Sequence, residues 1–454
     1  MLTCAILMTS SYSEGQKVST HELGAFTTYE KRVYYDTYDI TKAMAVMAGS
    51  EASSTHAVGL HVGTGWYSQN SVHVGQETML LHISILFSDG TKDTVVSDGS
   101  WKVAESPVTT VDIYTGETYN ASKEHPGWTE STYAPPTNSD WIAATVMQPP
   151  RNTTVLSSHA VLPPIRIGET YTPCDMWESS AGVYVFDFCQ NMAGFTTLVV
   201  PEGLATDAGQ MIRIQHAELL NGPKPAAIHN HYSNAPEINT YYARGNGEAI
   251  EYTTQFTYAG FRYVSLNGYP GTPNLKTLTA HFIHTDYEMT GGISFSDPLL
   301  TAVQRITRTA AMSNFQSIPT DCPQRERRGW LGDAQLSCET NMHNFDMGAP
   351  YTSFIQQIAD SQDASGTVQD CVPYYGHGFD PADPAWGAAF PLIADWVGKY
   401  YHDDQIFATH YTSIVAHTDQ LIATANADNT TGLLTYGGWG DWCPPSGCQG
   451  TFIM

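Results

Sequence analysis

Basic side chains are scarce in this sequence of 454 residues. Lys and Arg total 20, whereas Asp and Glu total 45, so the formal net charge is −25. Proteins that bind nucleic acid or anionic lipid neutralise phosphate groups with clusters of basic residues. The charge balance therefore argues against nucleic acid as a partner of this protein.

Long hydrophobic runs are also missing. No stretch approaches the ~20 consecutive apolar residues that cross a bilayer as a helix, so we expect neither a membrane span nor a membrane partner. The apolar segment 1–8 lies at the lower edge of the length of a signal-peptide core and has no basic residue before it. Secretion and a cytoplasmic location both stay open.

Cysteine is sparse, with eight residues in the chain, which excludes a small scaffold held together by disulfides. Only Cys443 and Cys448 are spaced so as to suggest a disulfide, and two free thiols are an equal alternative. The 17 histidines include His229 and His231, but no His or Cys pair has the spacing of zinc ligands. We therefore expect no metal ion and no other cofactor.

Up to about residue 285 the sequence has the pattern of β-strands. Aromatic residues, which strands favour and which also stack on sugar rings, make up 11% of the chain. Alternating or β-branched runs are separated by Asp-Gly and Asn-Gly pairs at intervals typical of antiparallel sandwiches. The clearest predicted strands are 79–87, 182–188, 196–200 and 261–266.

The segment 147–164 contains two Pro-Pro pairs and little periodicity, which is typical of a linker. We therefore predict two antiparallel β-sandwich domains, a jelly-roll-like one over residues 1–160 and a second over residues 161–287. Beyond them, Asp297 has the features of an N-cap and Pro298 those of a first helical residue. The predicted helices of this third region, residues 288–454, are 299–315, 349–361, 390–401 and 406–425.

The densest group of chemically active side chains lies between Pro319 and Gln335. Three carboxylates, three arginines, one Trp and two glycines fall within these 17 positions. Pro and Gly interrupt regular structure, so we predict a loop that leads into a helix, where functional side chains are common. An exposed cluster of ion pairs is the alternative, but acid–base chemistry on a neutral substrate needs several carboxylates in different environments.

Seven segments follow one another in an order that is typical of a known family. They are 112–119, 126–128, 182–188, 215–220, 256–263, 321–335 and 438–442. Together they resemble the bacterial inverting α-L-rhamnosidases of glycoside hydrolase family 78, from near Tyr34 to the last residue. The resemblance implies two β-sandwich modules followed by an (α/α)6 barrel, in agreement with the organisation predicted from turns and periodicity.

The resemblance also implies roles for residues in the acid-rich segment. Glu326 falls at the position of the family's general acid, and Asp321 and Asp333 fall where carboxylates hold the rhamnose hydroxyls. Trp330 matches a Trp that contacts the sugar, with a core Trp as the alternative, and Arg325 is expected to bind substrate. The like charges of Asp321 and Asp333 and a nearby aromatic ring would favour a protonated Glu326.

Arginines oppose that effect, so we expect Arg325, Arg327 and Arg328 to point away from the Glu326 carboxyl. Two downstream segments resemble loops that complete the family's sugar pocket. A rhamnose pocket needs aromatic faces for the C5-methyl group and carboxylates for the hydroxyls. The residues predicted to line it are Trp386, Trp439, Asp441 and Trp442, and packing between helices is the alternative for Trp439 and Trp442.

The sequence departs from the family at two places. Cys189 stands where the family has Gly. Either its backbone adopts an unstrained conformation that suits any residue, or it is strained within its strand. After residue 290 there are 164 residues, whereas a complete (α/α)6 barrel needs roughly 200. We therefore expect an incomplete barrel in a fragment of a larger enzyme. The resemblance implies a general base, a second Glu, from a later part of the barrel, so we expect this base to be missing. Glu339 could not replace it, because it would lie on the same side of the sugar as the acid.

Two functions from different classes remain. The first is an α-L-rhamnosidase that removes terminal α-L-rhamnose from glycosides or polysaccharides by an inverting acid–base mechanism. The second is a non-catalytic protein that binds rhamnose or another glycan. The acid-rich segment favours the first, and the missing base favours the second for this chain alone. We expect the 454-residue chain to lack turnover and to be cleaved by proteases beyond residue 290 but not before residue 285.

Overall fold

The structure, a computed structural model, describes residues 2–6, 9–13, 16–17, 23–41, 56–69, 72–73, 75–137, 139–148, 154–158, 162–204, 206–229, 235–427, 433–434, 438–440 and 442. Strands dominate up to residue 285 and helices dominate from residue 298 onwards. The predicted order, a β region followed by a helical region, is confirmed. Within the described ranges, no helix has both the length and the hydropathy required to cross a bilayer.

The strands are numbered in chain order. They are β1 Leu2–Ile6, β2 Thr9–Ser13, β3 Gln16–Lys17, β4 Arg32–Tyr38, β5 Val58–Val62, β6 Ser68–Gln69, β7 Val72–His73, β8 Met79–Leu86, β9 Lys92–Val96, β10 Lys102–Val103, β11 Val108–Asp112, β12 Gly116–Asn120, β13 Ile142–Ala143, β14 Val155–Ser158, β15 Ile165–Tyr171, β16 Asp175–Ser180, β17 Val183–Val200, β18 Met211–Ala217, β19 Leu219–Leu220, β20 Ile228–His229, β21 Ile238–Tyr242, β22 Ile250–Thr253, β23 Ala259–Asn267, β24 Leu278–Thr285, β25 Phe315–Gln316 and β26 Ile318–Pro319.

The larger sheet is built around the long strand β17. Its strand order is β11-β12-β21-β18-β23-β17-β24-β15, and β16 and β22 also pair with β17. Most of β17 is buried, and Phe186, Val264 and Leu278 belong to the apolar core of this sheet. β12 pairs in parallel with β21, so one sheet contains strands from both sides of residue 160. The domain boundaries near residues 160 and 287 stay predictions.

A second sheet has the order β14-β4-β1-β8-β9. Along β8, Leu81 and Ile83 are buried whereas Leu80 and Leu86 are exposed, which is the alternation expected of a strand with one covered face. β14 lies inside the predicted linker and pairs in parallel with β4, because the chain returns to the first sheet before it enters the second. The linker segment therefore contains a strand that its Pro-rich sequence did not predict.

The predicted strands are confirmed, with one difference. The segment 79–87 forms β8, and the segment 261–266 lies within β23. The segments 182–188 and 196–200 are two parts of the single strand β17, which continues through Cys189 to Met192 with an irregular register. A sequence window that looks for short alternating runs divides such a strand into two.

The predicted helices are also confirmed, each to within two residues at either end. Asp297 caps the first of them, since its carboxylate accepts a hydrogen bond from the Leu299 N–H at 2.8 Å and Pro298 occupies the first turn. The helices are α1 Pro298–Ser313, α2 Leu331–Asn344, α3 Gly348–Ser361, α4 Pro384–Gly387, α5 Ala389–Tyr401 and α6 Gln405–Ala427.

The helical region shares one apolar core with the part of the β region before residue 160, which we call the first β region. Phe26 and Trp66 from the β region belong to the same buried cluster as Phe315 and Tyr351 from the helical region. Arg32 on β4 forms an ion pair with Asp360 on α3, with 2.6 Å between Nε and Oδ2. The first β region therefore packs against the helices and also has a smaller apolar cluster of its own around β8.

Among the described residues, the structure contains a disulfide that the sequence spacing did not suggest. Cys174, just before β16, is bonded to Cys189 in β17. Cys443 and Cys448 lie outside the described residues, so their pairing stays a prediction. Cys189 has a φ of 58°, in the left-handed region that favours Gly, and its N–H donates to Asp187 at 2.8 Å. The backbone is therefore strained at the position where the family has Gly.

Candidate active site

The acid loop, which we define as residues 321–330, is closed by hydrogen bonds between its two ends. The Asp321 N–H donates to the Arg328 carbonyl at 3.0 Å, and the Arg328 N–H donates to the Asp321 carboxylate at 2.9 Å. Trp330 then precedes the first residue of helix α2. The predicted loop leading into a helix is confirmed, and Glu326 lies in its middle with a quarter of its side chain exposed, at 26%.

Two groups of the acid loop contact the Glu326 carboxylate. The Trp330 indole Nε1–H donates to Oε2 at 2.7 Å, and Arg325 Nη2 lies 2.8 Å from Oε1. The expectation that the arginines point away is therefore wrong for Arg325, whose exposed side chain folds back onto its neighbour. Arg327 and Arg328 are fully buried, and their guanidinium groups lie over the rings of Tyr258 and Trp66 instead.

Asp321 and Asp333 flank Glu326 and share its electrostatic environment. Burial raises the pKa of Asp321 to about 6, and the charges of Glu326 and Asp333 add to this rise. Partial desolvation also raises the pKa of Asp333, again with a contribution from the Glu326 charge. The acid loop and the first turn of α2 therefore bring three carboxylates close enough to influence one another.

An aromatic wall, which we define as Trp330, Phe379, Trp439 and Trp442, stands beside these carboxylates. Trp439 is central to it, with ring centroids 5.6 Å from Trp330, 4.8 Å from Phe379 and 5.4 Å from Trp442. Trp442 is largely exposed, at 62%. The structure thus brings Trp330, Trp439 and Trp442 together with Phe379. Asp441 lies outside the described residues.

Two buried carboxylates that the sequence did not single out hold Trp439 in place. Asp370 accepts a hydrogen bond from the Trp439 indole Nε1–H at 2.6 Å. Asp383 accepts from the backbone N–H groups of Trp439 at 2.7 Å and Gly440 at 3.2 Å. No local motif marks Asp370, whereas the pair Asp383-Pro384 has the N-cap signature that was recognised at residues 297–298.

Trp386 lies behind the first turn of helix α2. A Cβ atom on Gly332 would lie 2.7 Å from the Trp386 indole ring, so the absence of a side chain at Gly332 allows the ring to pack against the helix. Trp386 therefore contacts Gly332, the residue before Asp333. His377, which the sequence did not predict, lies nearer to the acid loop, with its ring centroid 6.3 Å from that of Trp330.

One group of side chains among the described residues has atoms close enough to hold a metal ion. It consists of Cys174, Asp187 and Cys189 in the larger sheet. The two sulfur atoms are joined as a disulfide, and Asp187 forms ion pairs with Lys224 and Arg262. The ligand atoms of this group are thus already used within the protein.

Three family models match successive parts of the chain. The α-L-rhamnosidase N-terminal domain matches residues 4–169, and the bacterial α-L-rhamnosidase concanavalin-like domain matches residues 178–284. The bacterial α-L-rhamnosidase 6 hairpin glycosidase domain matches residues 288–451. Together they account for nearly the whole chain.

Curated relatives carry the same family name. An α-L-rhamnosidase of Streptomyces avermitilis is 29% identical over 453 residues, which are 96% of this chain and 41% of the relative. An α-L-rhamnosidase of Formosa agariphila is 29% identical over 97% of this chain and 47% of its own length. The chain therefore spans less than half the length of these two relatives.

Solved structures show the same similarity. The α-L-rhamnosidase of Dictyoglumus thermophilum has a TM-score of 0.87 and 33% identity, over 98% of this chain and 48% of its own. The Streptomyces avermitilis α-L-rhamnosidase complexed with L-rhamnose has a TM-score of 0.85 and 29% identity, over 98% of this chain and 42% of its own.

Proposed function

We propose that this chain, which belongs to the bacterial α-L-rhamnosidase family, binds a terminal α-L-rhamnosyl group and protonates its leaving oxygen with Glu326. The observation that carries the proposal is the position of Glu326. Its carboxylate is close enough to Asp321 and Asp333 for its charge to raise the pKa of each, and it accepts a hydrogen bond from Trp330, at the edge of the aromatic wall. The substrate is a rhamnose-containing glycoside or polysaccharide.

Glu326 has contacts that suit a general acid. Its proton passes to the glycosidic oxygen as the bond between that oxygen and the anomeric carbon breaks. The Arg325 ion pair with Glu326 is half exposed on the arginine side, at 47%, and is worth at most about 1 kcal/mol. Arg325 can therefore exchange this ion pair for a contact with the substrate.

The surrounding groups suit the two chemical faces of rhamnose. Asp321 and Asp333 accept hydrogen bonds from ring hydroxyls, for which a carboxylate is a strong acceptor. The rings of Trp330 and Trp439 pack against the apolar side that carries the C5-methyl group. Trp442 and Asp441 belong to the same segment as Trp439 and are included in the proposal.

We assign no general base within the part of the chain that the structure describes. Asp370 and Asp383 accept hydrogen bonds from Trp439 and from backbone N–H groups. Glu339 accepts a hydrogen bond from Tyr400 at 2.8 Å on the exposed face of α2. An inverting hydrolase needs its base on the opposite face of the sugar, ~6.5 to 9.5 Å from the acid. The proposal therefore covers the acid and the binding groups.

The finer architecture belongs to the same proposal. We propose that the β region consists of two β-sandwich modules and that helices α1 to α6 belong to a barrel of the (α/α)6 type. The match of the helical part to the 6 hairpin glycosidase domain supports the barrel. The acid loop would then lie at the end of the barrel that faces the β region.

The test measures release of alcohol from an alkyl α-L-rhamnoside, with and without azide as an external nucleophile. A basic alcohol leaves only when protonated, so Glu326→Gln should lower the rate by at least ~10²-fold. Glu339→Gln is the matched control and should leave the rate unchanged, because Glu339 contacts Tyr400 away from the site. If the wild-type chain binds rhamnose but releases no alcohol with water or azide, the non-catalytic alternative replaces the acid role.

A further inference from the structure

Arg327, the residue after the proposed acid, is a fully buried cation. Its side chain is 0% exposed, and its Nη2 forms an ion pair with Glu237, which is itself 4% exposed. An Arg side chain stays protonated in proteins, so burial requires an anion and further acceptors nearby. Glu237 supplies that anion from the segment just before β21 in the β region.

Other acceptors of Arg327 come from both sides of the boundary between the acid loop and the β region. Nη1 donates to the Ile113 carbonyl at the end of β11, and Nε donates to the Pro323 carbonyl of the acid loop at 2.6 Å. The guanidinium also lies 4.7 Å from the centre of the Tyr258 ring. One side chain therefore ties the acid loop to Ile113 and Glu237, which directly border two separate strands of the larger sheet.

Glu237 is fixed from its own side as well. Its carboxylate accepts a hydrogen bond from the Gly260 N–H on β23 at 3.1 Å. Gly260 in turn supports the acid loop directly, because a Cβ atom there would lie 2.7 Å from the Gln324 backbone nitrogen. Burial raises the pKa of the Glu237 carboxyl, and the Arg327 guanidinium opposes that rise.

Both partners of the ion pair have unusual backbones. Glu237 has a φ of 50° and Arg327 a φ of 52°, in the left-handed region that costs free energy for residues other than Gly. Such conformations persist where the surrounding contacts determine them. Glu326 is covalently joined to Arg327. The φ of Arg327 therefore fixes the direction of the chain at Glu326 relative to the buried ion pair.

We propose that Glu237 is a positioning residue for the acid: through Arg327 it holds the acid loop on the β region and so fixes Glu326 against Trp330. The β region is then part of the catalytic apparatus. The inference rests on the proposed role of Glu326, but its test uses no rhamnoside. Failure of rhamnoside hydrolysis would count against the proposed function and would leave the positioning role to be judged by its own measurement.

The measurement is the ¹H–¹⁵N resonance of the Trp330 indole, which donates to Glu326 and so reports the position of that carboxylate. The resonance is assigned among the ten tryptophans with Trp330→Phe, and Glu326→Gln gives its position when the acceptor changes. Glu237→Gln should displace it by an amount comparable to Glu326→Gln. Glu237→Asp keeps the buried charge but shortens the side chain, so it should displace the Trp330 resonance in the same direction.

Glu117→Gln is the matched control. Glu117 is also buried in the larger sheet, and its carboxylate accepts from Tyr252 and from the Gln255 and Phe256 N–H groups, none of which belongs to the acid loop. It should lower the melting temperature without displacing the Trp330 resonance. The proposal is overturned if the resonance stays at its wild-type position in a folded Glu237 variant, or if Glu117→Gln displaces it equally. Should Glu237→Gln fail to fold, Glu237→Asp decides.

Discussion

Asp321 and Asp333 differ in what their carboxylates already contact. Asp321 accepts hydrogen bonds from the Arg328 N–H and from the Cys322 thiol, so it closes the acid loop as well as facing Glu326. Asp333 lies in the first turn of α2 and is exposed at the site. In the proposed site, Asp321 would therefore serve both the stability of the loop and the binding of the sugar, and Asp333 the binding of the sugar alone.

Replacing each Asp by Asn should separate these two roles. Asp333→Asn should weaken rhamnose binding with little change in melting temperature, because an amide satisfies hydroxyl donors only in part. Asp321→Asn should weaken binding and also lower the melting temperature, because the acid loop loses an acceptor. Calorimetric titration and thermal unfolding of both variants measure the two effects. Unaltered dissociation constants in both variants would rule out the sugar contacts.

The raised pKa of Asp321 predicts opposite pH dependences for binding and stability. Rhamnose binding should weaken as the pH falls through about 6, because protonation removes an acceptor from the site. Folding raises this pKa from an ordinary value of 3.8, so ionisation of Asp321 opposes folding. Its contribution to stability is present below pH 4 and is lost as the pH rises through about 6. The difference between wild type and Asp321→Asn, measured against pH, isolates both effects.

For single residues, the sequence predicted the part of the candidate site whose members are close to one another along the chain. Asp321, Glu326, Trp330 and Asp333 lie within one loop and one helical turn, so their proximity follows from local geometry. The contacts of Asp370 and Glu237 could not be predicted, because each meets its partner only through the tertiary fold. The Arg325 ion pair was missed because the rotamer of an exposed side chain is not determined by neighbouring residues in the sequence.

At the scale of elements, two helices begin in the same way but serve different purposes. Asp297 caps α1 and Asp383 caps α4, each with Pro as the next residue. The Asp383 carboxylate also accepts hydrogen bonds from the backbone N–H groups of Trp439 and Gly440. A Cβ atom on Gly438 would lie 2.1 Å from the Asp383 carboxylate, so the segment 438–440 fits closely over this residue.

This matched pair predicts a difference between two Ala substitutions. Asp297→Ala should cost about 1 kcal/mol in the free energy of unfolding, as for other N-caps, and leave rhamnose binding unchanged. Asp383→Ala should lose a cap of the same kind and also weaken rhamnose binding, since the Trp439 backbone is released. Urea unfolding and calorimetric titration provide the two measurements. Equal affinities in the two variants would show that Asp383 does not position the aromatic wall.

Element types were more predictable than element partners. The helices were predicted from the 3.6-residue period and from the Asp297-Pro298 cap, and these signals are local. The parallel pairs β12–β21 and β14–β4 were not predicted, because a strand's own sequence does not identify its neighbour. Cys189 shows the same limit, since its disulfide partner lies on a different strand.

At the scale of the whole molecule, the shared core changes the expected pattern of proteolysis. The ion pair between Arg32 and Asp360 and the hydrogen bond between Tyr34 and Ser353 at 3.0 Å join the first β region to α3. Residues 298–401 should therefore resist limited proteolysis to the same extent as residues 56–285, whereas the sequence led us to expect cleavage beyond residue 290. Rapid cleavage between 298 and 401 that leaves the β region folded would contradict the shared core.

Helix α1 exposes an apolar face that should promote self-association. Exposed fractions reach 68% at Leu299 and 55% at Ile306, and Leu300 and Val303 lie on the same helix with about half their side chains exposed. Val303→Lys combined with Ile306→Lys should shift the chain towards monomer in sedimentation velocity. Leu336→Lys is the control, because Leu336 is a single exposed apolar residue on α2 and should have no effect. A wild-type chain that is monomeric at all concentrations would contradict this prediction.

The central claim is that the acid loop and the aromatic wall together form a rhamnose site. Calorimetric titration of the chain with L-rhamnose, and with L-mannose as the matched ligand, tests it most directly. The two sugars differ only at C6, where rhamnose has a methyl group and mannose a hydroxymethyl group. We expect rhamnose to bind more tightly, because the rings of Trp330 and Trp439 favour the methyl group, and Asp333→Asn to weaken both sugars. Equal binding of the two sugars, or no binding of either, would contradict the account.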